Sequence, residues 1–298
     1  MSKDNYIPIF QVDAFADSSF KGNPAAVCVI DKPLDDITMQ NIAMEMNLTE
    51  TAFAIPAHKS GILNADRFAI RWFTPTCETS LCGHATLAAA KVLFEIFENK
   101  SETLVFHSQR GEIFVTRRGQ FLQLDFLAVR PEPTQLSEYM ADALRLDIDG
   151  LRSDFMDASH DSQAKLILLR FKDVSTIKAV TPDFFELFHV QQALGYEETI
   201  ITARDYGDYD FISRSFAPIL GIDEDPVSGE AHTILAPYWS ALLNKKNLVA
   251  YQASKRGGEI LIEVREDPKR YRDRVILSGK AVIVMEGIIN IESNLNES

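Results

Sequence analysis

The feature that most restricts how this 298-residue chain can fold is that it repeats itself. Arg71-Trp72-Phe73-Thr74-Pro75 is echoed by Arg214-Ser215-Phe216-Ala217-Pro218. Each motif leads into a glycine that opens a predicted helix, Cys82-Gly83-His84-Ala85 in the first half and Ser228-Gly229-Glu230-Ala231 in the second. Arg110-Gly111-Glu112-Ile113 recurs as Arg256-Gly257-Gly258-Glu259-Ile260, and Glu50-Thr51 has a weaker echo in Glu198-Thr199. Singly, matches this short arise by chance. In one order and at a near-constant offset, they predict a duplicated half.

Extended segments rich in Val, Ile and Phe alternate with amphipathic helical stretches, so the expected class is α+β, with two similar α/β halves. Helices are predicted over 35–46 and 85–97, with counterparts over 182–194 and 231–243. The run 128–133, Ala-Val-Arg-Pro-Glu-Pro, reads as a proline-marked connector that continues neither a strand nor a helix. The boundary is therefore placed near 128, giving halves 1–127 and 128–298. A last strand over 275–285 is free to pair back onto the first half.

Composition narrows the function classes. The 43 acidic residues outnumber the 30 basic ones, for a net charge of -13, and no Lys/Arg tract stands out, which argues against nucleic acid or an anionic membrane as partner. The opening MSKDNYIPIF lacks a basic segment followed by an apolar run, and no stretch has the ~18 apolar residues of a membrane span, so the expectation is a cytoplasmic protein. The cysteines are Cys28, Cys77 and Cys82. Cys28 lies in a β-branched run and reads as a small core residue. Cys77 and Cys82 lack the paired Cys/His spacing of a zinc site, so no metal is expected.

A glycine at a strand-to-helix turn lets backbone approach a ligand, and the helix behind it offers N–H groups and a positive dipole end. Two such turns related by duplication would face each other across a cleft suited to a small anionic substrate. The acid/base candidates cluster there. Glu50 precedes the apolar run 52–55, where partial desolvation suits proton transfer, or it is a solvated turn residue. His84, at a helix start, relays a proton or caps the turn. Asp225 belongs to an acidic loop before the second glycine, or to an ordinary Asp-Pro turn.

The motifs Val12-Asp13-Ala14-Phe15, Gly22-Asn23-Pro24-Ala25-Ala26-Val27, Thr49-Glu50-Thr51-Ala52-Phe53, Phe73-Thr74-Pro75, Cys82-Gly83-His84-Ala85-Thr86 and Glu224-Asp225-Pro226-Val227-Ser228-Gly229 stand in order along most of the chain. Together they resemble the PhzF family of phenazine biosynthesis. The resemblance implies a diaminopimelate-epimerase-like fold, with two halves each wrapping a curved sheet around a central helix, as a homodimer without a cofactor. It implies Glu50 as a general acid/base that moves a proton between two carbons of trans-2,3-dihydro-3-hydroxyanthranilate. His84 and Asp225 would bind and polarise that substrate, with Asn23, Thr49, Gly83, Ala85, Gly229 and Glu230 contributing to its site. Where the best-known members carry serine after the second glycine, this chain has Glu230, a carboxylate that suits a helix N-terminus and competes there with an anionic substrate.

Two rival readings remain. Cys82-Gly83-His84 also resembles the first cysteine loop of proline racemases and diaminopimelate epimerases, whose mechanism needs a second thiol, yet no cysteine follows Cys82. A non-catalytic binding protein would keep the fold but has no need of a proton-transfer carboxylate. An oxidoreductase is disfavoured, since no Gly-x-Gly-x-x-Gly follows a strand.

Overall fold

The computed structural model describes residues 6–57, 61–266 and 273–291. Contacts divide the chain into two compact units. Unit 1 comprises 1–19, 24–122 and 280–298, and unit 2 comprises 20–23 and 123–279.

In unit 1 the elements run β1 (Tyr6–Ala14), β2 (Asn23–Val29, its first residue grouped with unit 2), α1 (Asp36–Met46), β3 (Glu50–Pro56), β4 (Arg67–Phe73), β5 (Glu78–Thr79), α2 (Gly83–Glu95), β6 (Thr103–Ser108) and β7 (Gly111–Arg118). Strand β8 (Phe121–Leu127) follows and from Gln123 belongs to unit 2. Strands β2 and β3 are parallel, as are β4 and β6, whereas β3–β4, β4–β5 and β6–β7 are antiparallel. Parallel neighbours need a crossover, and α1 and α2 supply the two. Helix α2 is buried on nearly every side from Gly83 to Phe94. Its Ala85, Ala88, Ala89 and Ala90 are small enough for β1, β3 and β7 to close around it.

Unit 2 repeats the pattern with β9 (Glu132–Thr134), α3 (Glu138–Ala143), β10 (Phe155–Asp161), β11 (Leu166–Phe171), α4 (Val174–Ala179), α5 (Phe184–Leu194), β12 (Glu198–Arg204), β13 (Phe211–Ala217), β14 (Ile222–Asp225), α6 (Gly229–Leu243), β15 (Asn247–Gln252), β16 (Gly258–Arg265) and β17 (Arg274–Gly279). Parallel β11–β12 and β13–β15, and antiparallel β12–β13, β13–β14 and β15–β16, match their unit 1 counterparts one for one. Among the described residues, helices α3 and α4 have no unit 1 equivalent. The core gathers Met140, Leu144, Leu169, Phe171, Ile201 and Phe216, and Phe211 stacks on Trp239 at 5.5 Å. Full burial of each such side chain contributes about 1.5–3 kcal/mol.

The final strand, β18 (Ala281–Asn290), pairs antiparallel with β1 along its whole length. The segment expected as one strand over 275–285 is thus two, broken at Lys280, because β17 completes a ladder with β16 in unit 2 and β18 joins unit 1. The connector reading of 128–133 is also corrected. Glu132–Thr134 is a strand paired to β10, and Pro133 is accommodated in this short strand, where few ladder bonds are needed. The division falls at 122/123 rather than 127/128, since β8 continues past Leu122 into unit 2, where Arg274 bonds Asp125 at 2.7 Å. Among the described residues, no helix is long and apolar enough to cross a membrane.

Candidate active site

Glu50 owes its position to the end of α1. Asp35 caps the helix start by accepting from the Thr38 N–H at 2.9 Å, and Asn47 ends the helix in the left-handed region at φ 49°. Three residues later the chain enters β3 with Glu50 as its first residue, opposite Ala25 of β2. Strand β3 has β2 on one side and β4 on the other, so Glu50 is drawn inside and is only 8% exposed.

His84, the second residue of α2, is 3% exposed and meets this carboxylate. Its Nε2 lies 3.1 Å from Glu50 Oε2 and 3.3 Å from Thr49 Oγ1, and its Nδ1 lies 3.5 Å from Cys82 Sγ. The Thr49 hydroxyl donates to the Pro24 carbonyl at 2.7 Å, so toward His84 it accepts. That assigns a proton to Nε2 and leaves Nδ1 to accept from the Cys82 thiol when the ring is neutral. The approach to Glu50 Oε2 is close but poorly directed. This buried oxygen receives no aligned hydrogen bond from the protein.

Cys82, the N-cap residue of α2, makes no side-chain cap. Its counterpart Ser228 accepts from the Ala231 N–H at 3.0 Å and caps α6. Glu50, Cys82 and His84 each offer a metal-ligand atom, all within 4.8 Å of one another. The two imidazole nitrogens, however, address different partners. The three groups form a chain from Cys82 through His84 to Glu50 rather than a cage about one point, and so fit a tetrahedral ion poorly.

The remaining candidates gather in unit 2. Asn23, fully buried, donates from Nδ2 to Asp225 Oδ1 at 2.5 Å and to the Val227 carbonyl at 3.0 Å. Gln252, also fully buried, accepts from the Ser228 N–H at 2.9 Å and donates to the Asp225 carbonyl at 2.7 Å. Two amides thus hold the Asp225–Gly229 turn, and α6 starts from it with Gly229 and half-buried Glu230. The structure therefore brings Thr49, Glu50, Gly83, His84 and Ala85 together in unit 1, and Asn23, Asp225, Gly229 and Glu230 together in unit 2.

Sequence reasoning missed Gln252, which no motif marks, and Glu198, seen only as part of a repeat. Glu198 is 6% exposed, and burial first, with the charges of Glu230 and Asp225 adding to it, pushes its carboxyl up to about 8. Its alignment with Glu50 was the signal that could have found it.

The family described as phenazine biosynthesis-like protein, PhzC-PhzF, matches residues 12–287. A Pseudomonas aeruginosa protein named as an uncharacterized isomerase is 42% identical over 286 residues, covering 96% of this chain and 99% of that protein. The crystal structure of an Enterococcus faecalis PhzF-family protein superposes with a TM-score of 0.82 at 41% identity, covering 96% of this chain and all of the other. A hydroxyproline epimerase from Agrobacterium vitis, at 10% identity and a TM-score of 0.63 over 99% of this chain and 95% of that one, shares the fold.

Proposed function

The chain belongs to the phenazine biosynthesis-like PhzC-PhzF family, and from that premise we propose that it is an isomerase in which Glu50 moves a proton between two carbons of a small amino-acid-like carboxylate. The observation that carries this reading is the buried Glu50 Oε2, without an aligned protein donor and 3.1 Å from His84 Nε2. A carboxylate whose second lone pairs are uncommitted in a water-poor setting is a competent base. It takes the proton from carbon, the electron pair left behind delocalises into the substrate's π system, and the same carboxyl returns the proton to a second carbon.

His84 supports this cycle from one side. Held by Thr49 and Cys82, it presents Nε2–H toward Glu50 or toward a substrate oxygen that gains charge. The substrate's carboxylate is drawn to the first turn of α2, which has no side-chain cap. No cofactor takes part in this scheme, since the side chains supply both the base and the acid.

A two-thiol racemase fits less well, because the position matching Cys82 is Ser228, whose hydroxyl is engaged in capping α6. The test is turnover of trans-2,3-dihydro-3-hydroxyanthranilate and a panel of small cyclic and acyclic amino acids, with binding measured by calorimetry. Glu50→Gln is expected to bind its ligand and lose turnover at least a thousandfold, as removal of an acid/base group does. A Glu50→Gln enzyme that turns over within tenfold of wild type, or a wild-type protein that binds a panel member without converting it, would refute the assignment.

A further inference from the structure

Unit 2 carries a carboxyl in the place that Glu50 holds in unit 1. Glu50 faces Ala25 of its parallel neighbour, and the next residue, Thr51, faces Phe73 of its antiparallel one. Glu198 faces Leu166 and Thr199 faces Phe216 in the same two relations. Each strand starts three residues after a left-handed helix cap, Asn47 in one unit and Gly195 in the other. The helix entries correspond as well, so that Cys82 matches Ser228 and His84 matches Glu230. Where unit 1 sets an imidazole against its carboxylate, unit 2 sets a second carboxyl.

The surroundings of Glu198 are polar but not basic. From β13 the Ser215 hydroxyl donates to Oε1, and ahead of α6 the Ser228 hydroxyl bonds the same carboxyl group. Glu230 on α6 and Asp225 on β14 act on it as like charges. His232, one turn into α6, is pushed by burial down to about 4, so it is neutral, and its Nδ1 donates to the Ser228 carbonyl at 2.6 Å. Nearby bases are committed elsewhere. Lys165, whose carbonyl accepts the Glu198 N–H, pairs with Glu197 at 2.5 Å, and Arg214 on β13 forks onto Glu224 at 2.7 and 3.0 Å.

A third negative charge here would be buried against the like charges of Glu230 and Asp225, which is far costlier than a neutral acid. We propose that Glu198 is a positioning residue that stays a neutral carboxylic acid, tying β13 to the cap of α6 through Ser215 and Ser228 so that Asp225 and Glu230 are held as the charged members of the turn. Its ionisation at alkaline pH puts like charge against that turn and loosens the Ser228 cap. The same duplicated position thus serves as a base in unit 1 and as a fixed acid in unit 2. The protonation of Glu198 stands apart from the function proposed above.

Two readouts on the full-length protein test this without substrate. The first is the carboxylic-acid C=O band in infrared spectra titrated from about pH 6 to about pH 10. Wild type should lose one such band with a midpoint at about 8. Glu198→Gln should lack it, and Glu230→Ser should move the midpoint down by one pH unit or more, a tenfold loss of proton affinity. The second is hydrogen exchange at the Ala231 amide, corrected for intrinsic rate. Its protection should fall at least tenfold through that midpoint in wild type, stay flat in the neutral isostere Glu198→Gln, and be low throughout in Glu198→Ala. A band that survives in Glu198→Gln, a midpoint indifferent to Glu230→Ser, or Ala231 protection that ignores pH in wild type would each overturn the proposal. Loss of turnover in Glu50→Gln bears on the other reading alone.

Discussion

At the scale of single residues, Thr49 ties His84 to the Pro24 carbonyl, and His84 lies 3.1 Å from Glu50 Oε2 without an aligned hydrogen bond. Replacing Thr49 with valine removes the donor to the Pro24 carbonyl and the acceptor for His84, and should cost about 1–3 kcal/mol in urea unfolding. In Glu198 the argument turns on sign. The folded protein holds this proton more tightly than the unfolded chain, whose carboxyl sits near 4.5, so the stabilisation is complete below 4.5 and is lost as pH rises toward about 8. Urea midpoints of wild type should therefore decline across that window and level off above it, whereas Glu198→Gln should lack this component. Glu50 was legible in the sequence because its motif is local. Glu198 was not, because its neighbours Ser215, Asp225, Ser228 and Glu230 come from later in the chain and only the fold assembles them.

At the scale of elements, the duplicated Arg-x-Phe motif has a structural meaning that its spacing alone did not disclose. Arg71 forks onto Glu78 and lies 5.1 Å over Phe73, while Arg214 forks onto Glu224 and lies 4.9 Å over Phe216. The two clamps differ in burial. The Arg71 side chain is 31% exposed; that of Arg214 is 12% exposed and also donates to the Ile177 and Val180 carbonyls. Arg71→Ala should cost about 1 kcal/mol and Arg214→Ala about 2–3, because the second leaves a partly buried carboxylate and two carbonyls without a donor. Urea unfolding of the two variants checks the order.

The helices over 35–46 and 182–194 were readable from periodicity to within two residues, because Asp35 and Asp183 mark their starts. Strand β9 was missed, since Pro131 just before it and Pro133 within it mimic a linker. The break at Lys280 was missed although Ser278-Gly279-Lys280 interrupts the apolar run, because β17 pairs with nearby β16 while β18 finds its partner, β1, at the other end of the chain.

At the scale of the whole chain, duplication explains where the ends go. Unit 2 flanks β10, the counterpart of β1, with β9 from just upstream, whereas unit 1 obtains the matching strand for β1 from β18. Truncation after Gly279 should therefore strip β1 of β18, one of its two strand neighbours, and leave Ile7 and Ile9 less covered, while the β11–β12–β13 ladder keeps its bonds. Hydrogen exchange should report early loss of protection in β1 and none in β12.

The central claim, that Glu50 is the one base of a proton-transfer reaction, is tested most directly by proton NMR in deuterated water with the substrate panel, wild type beside Glu50→Gln. The account predicts isomerisation with deuterium appearing at the carbon that receives the proton, and neither in the variant. Deuterium uptake that persists in Glu50→Gln, or isomerisation that survives its loss, would contradict it.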